Sequence, residues 1–283
     1  MTSTAEGPGR LYIVSTPIGN LGDFSFRAVE VLRSVALVLA EDTRHSRALL
    51  DRYEIATRTA SYHEHNEAKT TPRLVERLLA GDDLALITDA GTPLLSDPGQ
   101  RLVQAAIEAG IQVVPIPGAS ALLAALVASG LEADRFSFYG FLPRKGKERS
   151  ATLDEIVLSP HTAVLYEAPG RVADSLRELA NRAGDRQAVV ARELTKQFEE
   201  LRRGTLESLG AYYKDAPPRG EVVIVIAGAP RAVLDESKLQ DEARTLRARG
   251  LSVRDVVGEL TRRGAPRNLA YRIAKTATME NGE

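Results

Sequence analysis

The chain lacks cysteine, and this absence removes several kinds of chemistry at once. None of its 283 residues is Cys, so disulfide bonds, thiolate metal ligands and cysteine nucleophiles are excluded, and secretion gains no support. Long hydrophobic runs are also missing, since no stretch reaches the roughly 20 apolar residues of a membrane-spanning helix. The first ten residues are small and polar, without the apolar core of a signal peptide. We therefore expect a short disordered leader at residues 1–9 and a cytoplasmic protein with no membrane partner.

The formal charge of the chain is nearly balanced, but its distribution is not. The net charge is −1 at pH 7, with 43% hydrophobic and 27% charged residues, as in a packed globular protein. Between Arg244 and Lys275, however, nine basic residues stand against two acidic ones, a local net charge of +7. Such a segment is suited to a phosphate-rich partner. Arginines that only keep the helices solvated, or that pair with acidic residues elsewhere in the chain, would give the same local net charge.

Apolar runs alternate with helical patterns along most of the chain. The predicted strands are 11–15, 36–40, 56–61, 84–88 and 111–115 in the first half, and 136–141, 163–166, 187–192 and 221–227 in the second. Because strands that alternate with helices form βαβ units, this pattern predicts an α/β fold with largely parallel sheets. The turn Pro115–Ser120 breaks the rhythm, and we interpret it as a hinge between domains at 10–118 and 119–230. Three short helices in 236–283 predict a basic, helix-turn-helix-like module.

Two loops rich in proline and glycine hold most of the functional information. The first spans Ser15–Asp23 and the second Asp89–Gly99, and each follows a predicted buried strand. Ligands bind at the carboxyl ends of strands in open α/β sheets, and glycine lets backbone approach a ligand closely. Neither loop has a Walker A or GxGxxG sequence. An ordinary βα turn would explain one such loop, but two of them favour a ligand site. The pair Asp97-Pro98 also predicts a helix start, with Asp97 as the cap.

The segment His63-Glu64-His65 is the one pattern that suggests a metal. Alternate positions on a strand share one face, but no third ligand is near them in the sequence. We therefore interpret this segment as a solvated loop and expect no metal site.

Seven blocks, in chain order, resemble one known family. They are Leu11–Asp23 with Arg27-Ala28, Glu41–Arg44, Thr88–Pro93 with Ser96–Gly99, Pro115–Ala121, Gly140–Pro143, Tyr166–Pro169 and Ala191–Lys196. Together they resemble the tetrapyrrole-methylase-like (class III) S-adenosylmethionine methyltransferases, and among these the subfamily that acts on small-subunit ribosomal RNA. The likeness runs from about residue 10 to residue 228. One position departs from the pattern, because Gly170 stands where the family usually has histidine. A substrate contact by that histidine cannot be assigned to any residue at this position of the chain.

The resemblance implies a fold, a reaction and a set of cofactor contacts. The fold is two α/β/α domains with the cofactor in a cleft between them, plus a small all-helical C-terminal module, commonly in a homodimer. The reaction moves the methyl group of S-adenosyl-L-methionine to the ribose 2′-oxygen of a cytidine in the decoding region of 16S ribosomal RNA in the small ribosomal subunit, with no role for DNA. The residues that the resemblance assigns to the cofactor are Pro17, Gly91, Thr92, Pro93, Leu95, Ser120, Ala121, Tyr166 and Ala168.

Methyl transfer needs alignment of the acceptor oxygen, the methyl carbon and the sulfur, and it needs a destination for the hydroxyl proton. Glu193 and Lys196 lie three residues apart just beyond a predicted strand, so they could converge on the cleft. With Glu167, they are the catalytic candidates. A surface ion pair would show the same spacing. Further acidic candidates are Glu41, Asp42 and Asp89.

Two basic segments favour RNA over a small acceptor. The predicted RNA contacts are Arg144, Lys145, Lys147, Arg262, Arg263 and Arg267. Of these, the first three belong to a loop that we predict to include Arg149, and simple solvation would explain that loop equally well. Because fold alone does not decide function, a tetrapyrrole or other small-molecule methylase of the same fold stays an alternative. A non-catalytic RNA-binding assembly factor is another.

Overall fold

A computed structural model describes residues 7–230 and 236–279 of the chain. The chain forms two compact units, Met1–Ala229 and Pro230–Glu283, which are described one at a time. Residues 1–6 of the predicted leader and residues 280–283 of the predicted module lie outside the described residues. No helix within 7–230 and 236–279 is long and apolar enough to span a bilayer.

The first unit begins with a parallel five-stranded sheet. Its strands are β1 Leu11–Val14, β2 Leu37–Ala40, β3 Thr59–Ser61, β4 Leu84–Ile87 and β5 Val113–Ile116. Their order is β3-β2-β4-β1-β5, and every pairing is parallel. All residues of β2 and β4 are buried, because a parallel sheet is covered on both faces. The predicted α/β fold with a parallel sheet is confirmed for this half.

Four helices connect these strands: α1 Phe26–Ser34, α2 Thr43–Arg52, α3 Glu67–Leu79 and α4 Gln100–Glu108. The side chain of Asp42 caps α2 by accepting a hydrogen bond from Arg44 N. The predicted start of α4 at Asp97-Pro98 is wrong, because the helix begins after Gly99, which has φ +131°. A Cβ at Gly99 would lie 2.5 Å from Leu86 Cδ2, so the chain turns there under close packing. The Asp97 side chain lines a cavity instead.

The second half of the first unit contains a mixed sheet. Its strands are β6 Phe136–Phe141, β7 Thr162–Glu167, β8 Gln187–Arg192, β9 Glu200–Thr205 and β10 Val222–Ile226. The order is β6-β7-β10-β8-β9, with β6 and β7 parallel and the other three pairings antiparallel. The prediction of a largely parallel sheet is therefore wrong here. The polar edge strand β9 has no apolar run to reveal it, and it pairs antiparallel with β8 through a short connection.

One hydrophobic cluster joins the two halves of this unit. Helix α5 Ala121–Ser129 buries Leu122 and Leu126 against strand residues of the second sheet and against Ile18 of the first loop. The remaining helices are α6 Gly146–Leu158, α7 Val172–Ala183 and α8 Leu206–Asp215. Residues 10–118 and 119–230 each contain one sheet, and the division into two domains at this point stays a prediction.

Within residues 236–279, the second unit contains three helices around a small core. They are α9 Glu236–Ala248, α10 Val253–Arg262 and α11 Arg267–Met279. Leu239, Val256, Leu260 and Ile273 are buried together. The Ser252 side chain caps α10 by accepting from Asp255 N. The all-helical character predicted for this segment is confirmed over 236–279.

Candidate active site

The first unit holds a cavity of about 480 Å³ at the carboxyl ends of its parallel strands. One side is built by residues that follow β1, β2, β4 and β5, and the other by residues at the ends of β6 and β7 and the start of β10. Both sheets therefore contribute walls. This is where the two loops rich in proline and glycine predicted a ligand site.

Seven of the nine predicted cofactor residues line this cavity. They are Gly91, Thr92, Leu95, Ser120, Ala121, Tyr166 and Ala168. Pro17 lines an adjoining cavity instead, and Pro93 is buried and lines neither. Their contact with a cofactor stays a prediction.

Hydrogen bonds tie the three ligand-facing turns together. Thr16 and Gly91 exchange backbone hydrogen bonds of 2.8 and 3.1 Å, which join the first loop to the second. Thr92 Oγ1 donates to Ala119 O at 3.2 Å and lies 3.0 Å from Ser15 Oγ, which therefore donates to it. Gly91 has φ +85°, a conformation that suits glycine. The turns thus form one preorganised wall.

Aromatic rings form an apolar part of the opposite wall. The Tyr166 ring lies 4.9 Å from that of Phe138 and 5.5 Å from that of Phe141, measured between centroids. Phe141 is 58% exposed although it is large and apolar. Tyr166 and Phe141 both line the cavity, so a planar ligand group has rings to pack against.

Three carboxylates give the same cavity an acidic side: Glu41, Asp89 and Asp97. Burial, reinforced by Glu41, raises the pKa of Asp97 to about 7. Burial, followed by the charge of Asp89, raises the pKa of Glu41. Crowded carboxylates of this kind are stabilised by a cationic ligand. Asp97 belongs to the second predicted ligand loop, but its predicted role there as a helix cap is wrong, because it lines the cavity beside Glu41.

Within residues 7–230 and 236–279, no group of three or more His, Asp or Glu side chains is arranged to hold a metal ion. The rings of His63 and His65 lie 6.0 Å apart, edge to face.

The predicted pair Glu193 and Lys196 forms part of a network. Lys196 Nζ lies 3.0 Å from Glu193 Oε1 and 2.9 Å from Glu221 Oε2. Burial opposes the charge of Lys196, but hydrogen bonds to Glu221 and Glu193 outweigh it and raise the pKa of the amine. A Cβ at Gly19 would lie 2.4 Å from Lys196 Cγ. The lysine stem therefore packs on the first loop, and its ammonium reaches a cavity.

Two of the three catalytic candidates have carboxylates engaged by neighbouring groups. Glu193 Oε1 accepts from Glu221 N at 3.2 Å, and a Cβ at Gly220 would lie 2.0 Å from the same oxygen. Glu167 is fully buried, and its oxygens accept from Ser175 Oγ at 2.5 Å and Ala168 N at 2.8 Å. Arg171 Nε lies 3.2 Å away from this carboxylate. These contacts hold the backbone on either side of the cavity in place.

A second cavity, of about 490 Å³, adjoins the first. The two share Ile18, Asp89, Ala90 and Glu221. The second also has Arg44, His45 and Lys196 on its walls. Its lining further includes Thr88 and Ser46, which are 1% and 3% exposed, and the Ser46 hydroxyl has no hydrogen-bond partner among the described residues. A buried hydroxyl without a partner is costly, so this cavity suits a polar ligand.

The predicted basic loop is shorter than expected. Arg144 and Lys145 are exposed, and Lys147 lies exposed in the first turn of α6. Arg149 does not belong with them. It is 8% exposed, and its guanidinium bonds Glu178 and Ser175, so it serves the packing of α6 on α7.

Comparisons with known proteins agree with this architecture. Residues 10–210 match the family model of the tetrapyrrole (corrin/porphyrin) methylases. A solved diphthine synthase is similar with a TM-score of 0.59 at 18% identity, covering 77% of this chain and 90% of that one. A uroporphyrin-III C-methyltransferase from Thermus thermophilus, complexed with S-adenosyl homocysteine, has a TM-score of 0.56 at 20% identity, covering 77% and 97%. The fold, with its cavity at the carboxyl ends of the parallel strands, thus defines a methyltransferase of the tetrapyrrole methylase class.

Sequence relatives narrow this class further. A ribosomal RNA small subunit methyltransferase I from Synechocystis sp. is 50% identical over 248 residues, which are 86% of this chain and 89% of the relative. One of the same name from Micromonospora olivasterospora is 45% identical over 282 residues, 98% of this chain and 90% of the relative. This chain belongs to the ribosomal RNA small subunit methyltransferase I family.

Proposed function

We propose that the protein transfers the methyl group of S-adenosyl-L-methionine to the ribose 2′-oxygen of a cytidine in 16S ribosomal RNA of the small subunit. The observation that carries this proposal is the pair of adjoining cavities, which offers one compartment to a methyl donor and one to an acceptor. Two relatives that are 45% and 50% identical to this chain are named ribosomal RNA small subunit methyltransferase I.

The first cavity fits the donor. S-adenosyl-L-methionine carries a sulfonium and an ammonium, and the carboxylates of Glu41, Asp89 and Asp97 complement positive charge. Its adenine is a flat aromatic group that would pack on Tyr166. The predicted contacts Gly91 and Ala121 lie in the wall opposite Tyr166.

The second cavity fits the acceptor nucleotide. Its basic side chains Arg44 and Lys196 suit a phosphodiester, and the hydroxyl of Ser46 suits a ribose or a base edge. The shared wall brings acceptor oxygen and methyl carbon together, and alignment of this kind supplies much of the rate of a displacement.

Each catalytic candidate has a role in this arrangement. Lys196 stabilises the ribose oxygen as negative charge develops on it. Glu193 holds Lys196 and the backbone of Glu221. Glu167 holds Ala168 against the donor. Asp89 and Glu221 line both cavities, and we assign the hydroxyl proton to one of these two carboxylates.

The wider RNA contact would use exposed basic residues outside the cavities. They are Arg144, Lys145 and Lys147 in the first unit and Arg262, Arg263 and Arg267 in the second. We further propose that the protein acts in the cytoplasm as a homodimer.

Incubation of unmethylated small ribosomal subunits with labelled cofactor, followed by mapping of the labelled nucleotide, tests this function. We expect one cytidine ribose to carry the label. Label on a porphyrinoid acceptor alone would assign the protein to small-molecule methylation, and subunit binding without incorporation would assign it to assembly.

A further inference from the structure

The second unit carries a groove of about 1170 Å³ between α10 and α11. The residues that line this groove lie on one face of each helix. On α10 they include Arg254, Val257 and Gly258, and on α11 they are Arg267, Asn268 and Tyr271. A Cβ at Gly258 would meet nothing within 4 Å, so the α10 wall is open to a close approach.

Ion pairs divide the basic side chains of this unit into two groups. Arg263 lies 2.6 Å from Glu242, so an acidic neighbour already offsets its charge. In the described part of the chain, neither Arg254 nor Arg267 has an acidic side chain within ion-pair distance. These two arginines lie on opposite walls of the groove. Arg254 and Arg267 thus give the groove uncompensated positive charge on both of its walls.

An aromatic ring lies in the same groove. Tyr271 is 56% exposed, and over residues 7–230 and 236–279 its ring packs against no other aromatic ring. Asn268 precedes it by three positions and lines the same wall. Val253 and Val257 are half-buried in the groove. An exposed ring beside an amide and two unpaired arginines is the arrangement that binds an unstacked base between phosphates.

We propose that this groove binds an unpaired segment of RNA, with one base stacked on Tyr271 and its flanking phosphates at Arg254 and Arg267. Asn268 is placed to hydrogen-bond the edge of that base. A duplex is a poor occupant, since its bases are already stacked and offer no face to a ring. This inference rests on the proposed function and deepens it, because it names the RNA feature recognised outside the catalytic cavities.

Binding of a fluorescein-labelled single-stranded RNA of about ten nucleotides to full-length protein tests the stacking contact. We expect Tyr271→Ala to weaken binding about 5- to 150-fold, the range for one base–aromatic stack. Tyr271→Phe keeps the ring and should retain wild-type affinity. Equal affinity of Tyr271→Ala and wild type would overturn the proposal, as would a duplex of the same sequence that binds as tightly as the single strand.

A charge-matched pair of double variants tests the arginines. Arg254→Gln with Arg267→Gln removes two charges from the groove, and Arg249→Gln with Lys275→Gln removes two exposed charges that do not line it. We expect the log–log salt slope of single-strand binding to become shallower by about 1.4 for the groove variant, since each phosphate contact on a single strand contributes about 0.7. The control should change far less. Equal changes in both would show a diffuse charge effect and no groove.

Methylation of small ribosomal subunits separates this inference from the proposed function. If the wild type methylates them, the groove variants should raise KM and leave kcat within about twofold, because they lie outside the catalytic cavities. If the wild type does not methylate them, the proposed function fails while the oligonucleotide results still decide the groove. Active wild type with unchanged KM in Tyr271→Ala would refute a role of the groove in substrate binding.

Discussion

Replacement of Asp97 by asparagine should change how the stability of the ligand-free protein depends on pH. The folded state raises the pKa of Asp97 from 3.8 to about 7, through burial and then the charge of Glu41. Between pH 4 and 7 the unfolded chain ionises this carboxyl while the folded protein keeps it protonated. The wild type therefore loses stability across this window as pH rises, and above about pH 7 the loss is complete.

The size of the effect follows from the shift. Roughly three pKa units at about 1.36 kcal/mol each give an upper value of about 4 kcal/mol. Asp97 is only half-buried, and solvent screening reduces such a figure, so we expect about 1–2 kcal/mol. Asp97→Asn has no ionisation to suppress. Its stability relative to wild type should therefore rise by this amount from pH 4 to pH 8.

Urea denaturation followed by tyrosine near-ultraviolet circular dichroism measures this difference. The chain has no tryptophan and eight tyrosines, and all but Tyr271 lie in the first unit, so the signal reports mainly on the unit that holds the cavity. Asp134→Asn, at an exposed position outside the cavity, makes the same chemical change as a control. A constant offset between Asp97→Asn and wild type at all pH values would refute the reasoning, since amide packing alone has no pH dependence.

Three further predictions concern binding and catalysis. Lys196→Ala should lower methyl transfer about 10²- to 10³-fold, the range for loss of one group that stabilises developing negative charge, and Glu193→Ala should lower it because Lys196 loses its partner, both with cofactor affinity kept in calorimetry. Activity that survives both changes would make the pair a surface ion pair. Gly91→Ala should weaken cofactor binding, because Gly91 has φ +85° and a Cβ there would lie 3.3 Å from Ile18 Cγ2. The control Gly110→Ala, where φ is +71° and a Cβ would meet nothing within 4 Å, should cost comparable stability but no cofactor affinity. Equal cofactor affinities in the two variants would move the cofactor site elsewhere. Binding of S-adenosyl-L-methionine at pH 7 should release up to about half a proton from Asp97, whose pKa is about 7, and the release is seen as a buffer-dependent enthalpy. S-adenosyl-L-homocysteine, without the sulfonium charge, should release less, and the same enthalpy in all buffers would contradict a cationic contact there.

Local sequence pattern predicted most elements closely. The predicted bounds of β6 and β8 agree with the structure, because apolar runs act over a few residues. The strand β9 escaped prediction. Its sequence Glu200–Thr205 has no apolar run, and what makes it a strand is its pairing with β8.

The sequence predicted which residues belong to the site better than it predicted how they are arranged. The loops and seven of the nine cofactor candidates came from turn chemistry and family resemblance, and they share one cavity. The predicted helix cap at Asp97 and the predicted loop position of Arg149 were both wrong, for one shared reason. Sequence shows that a residue is charged, but not whether it faces solvent, a cavity or a buried partner.

By itself, the sequence determined the alternation of strands and helices, the rigid turns at strand ends, the absence of thiol chemistry and the family. These depend on residue type and short spacing, where neighbours along the chain exert the forces. Only the tertiary structure decided that Asp97 joins Glu41 and Asp89, and that Lys196 reaches the cavity that Ser46 lines. Those contacts join residues that are far apart in the chain. Their burial and electrostatics exist only once the sheets have packed, because desolvation acts on a position in space and not on a position in the sequence.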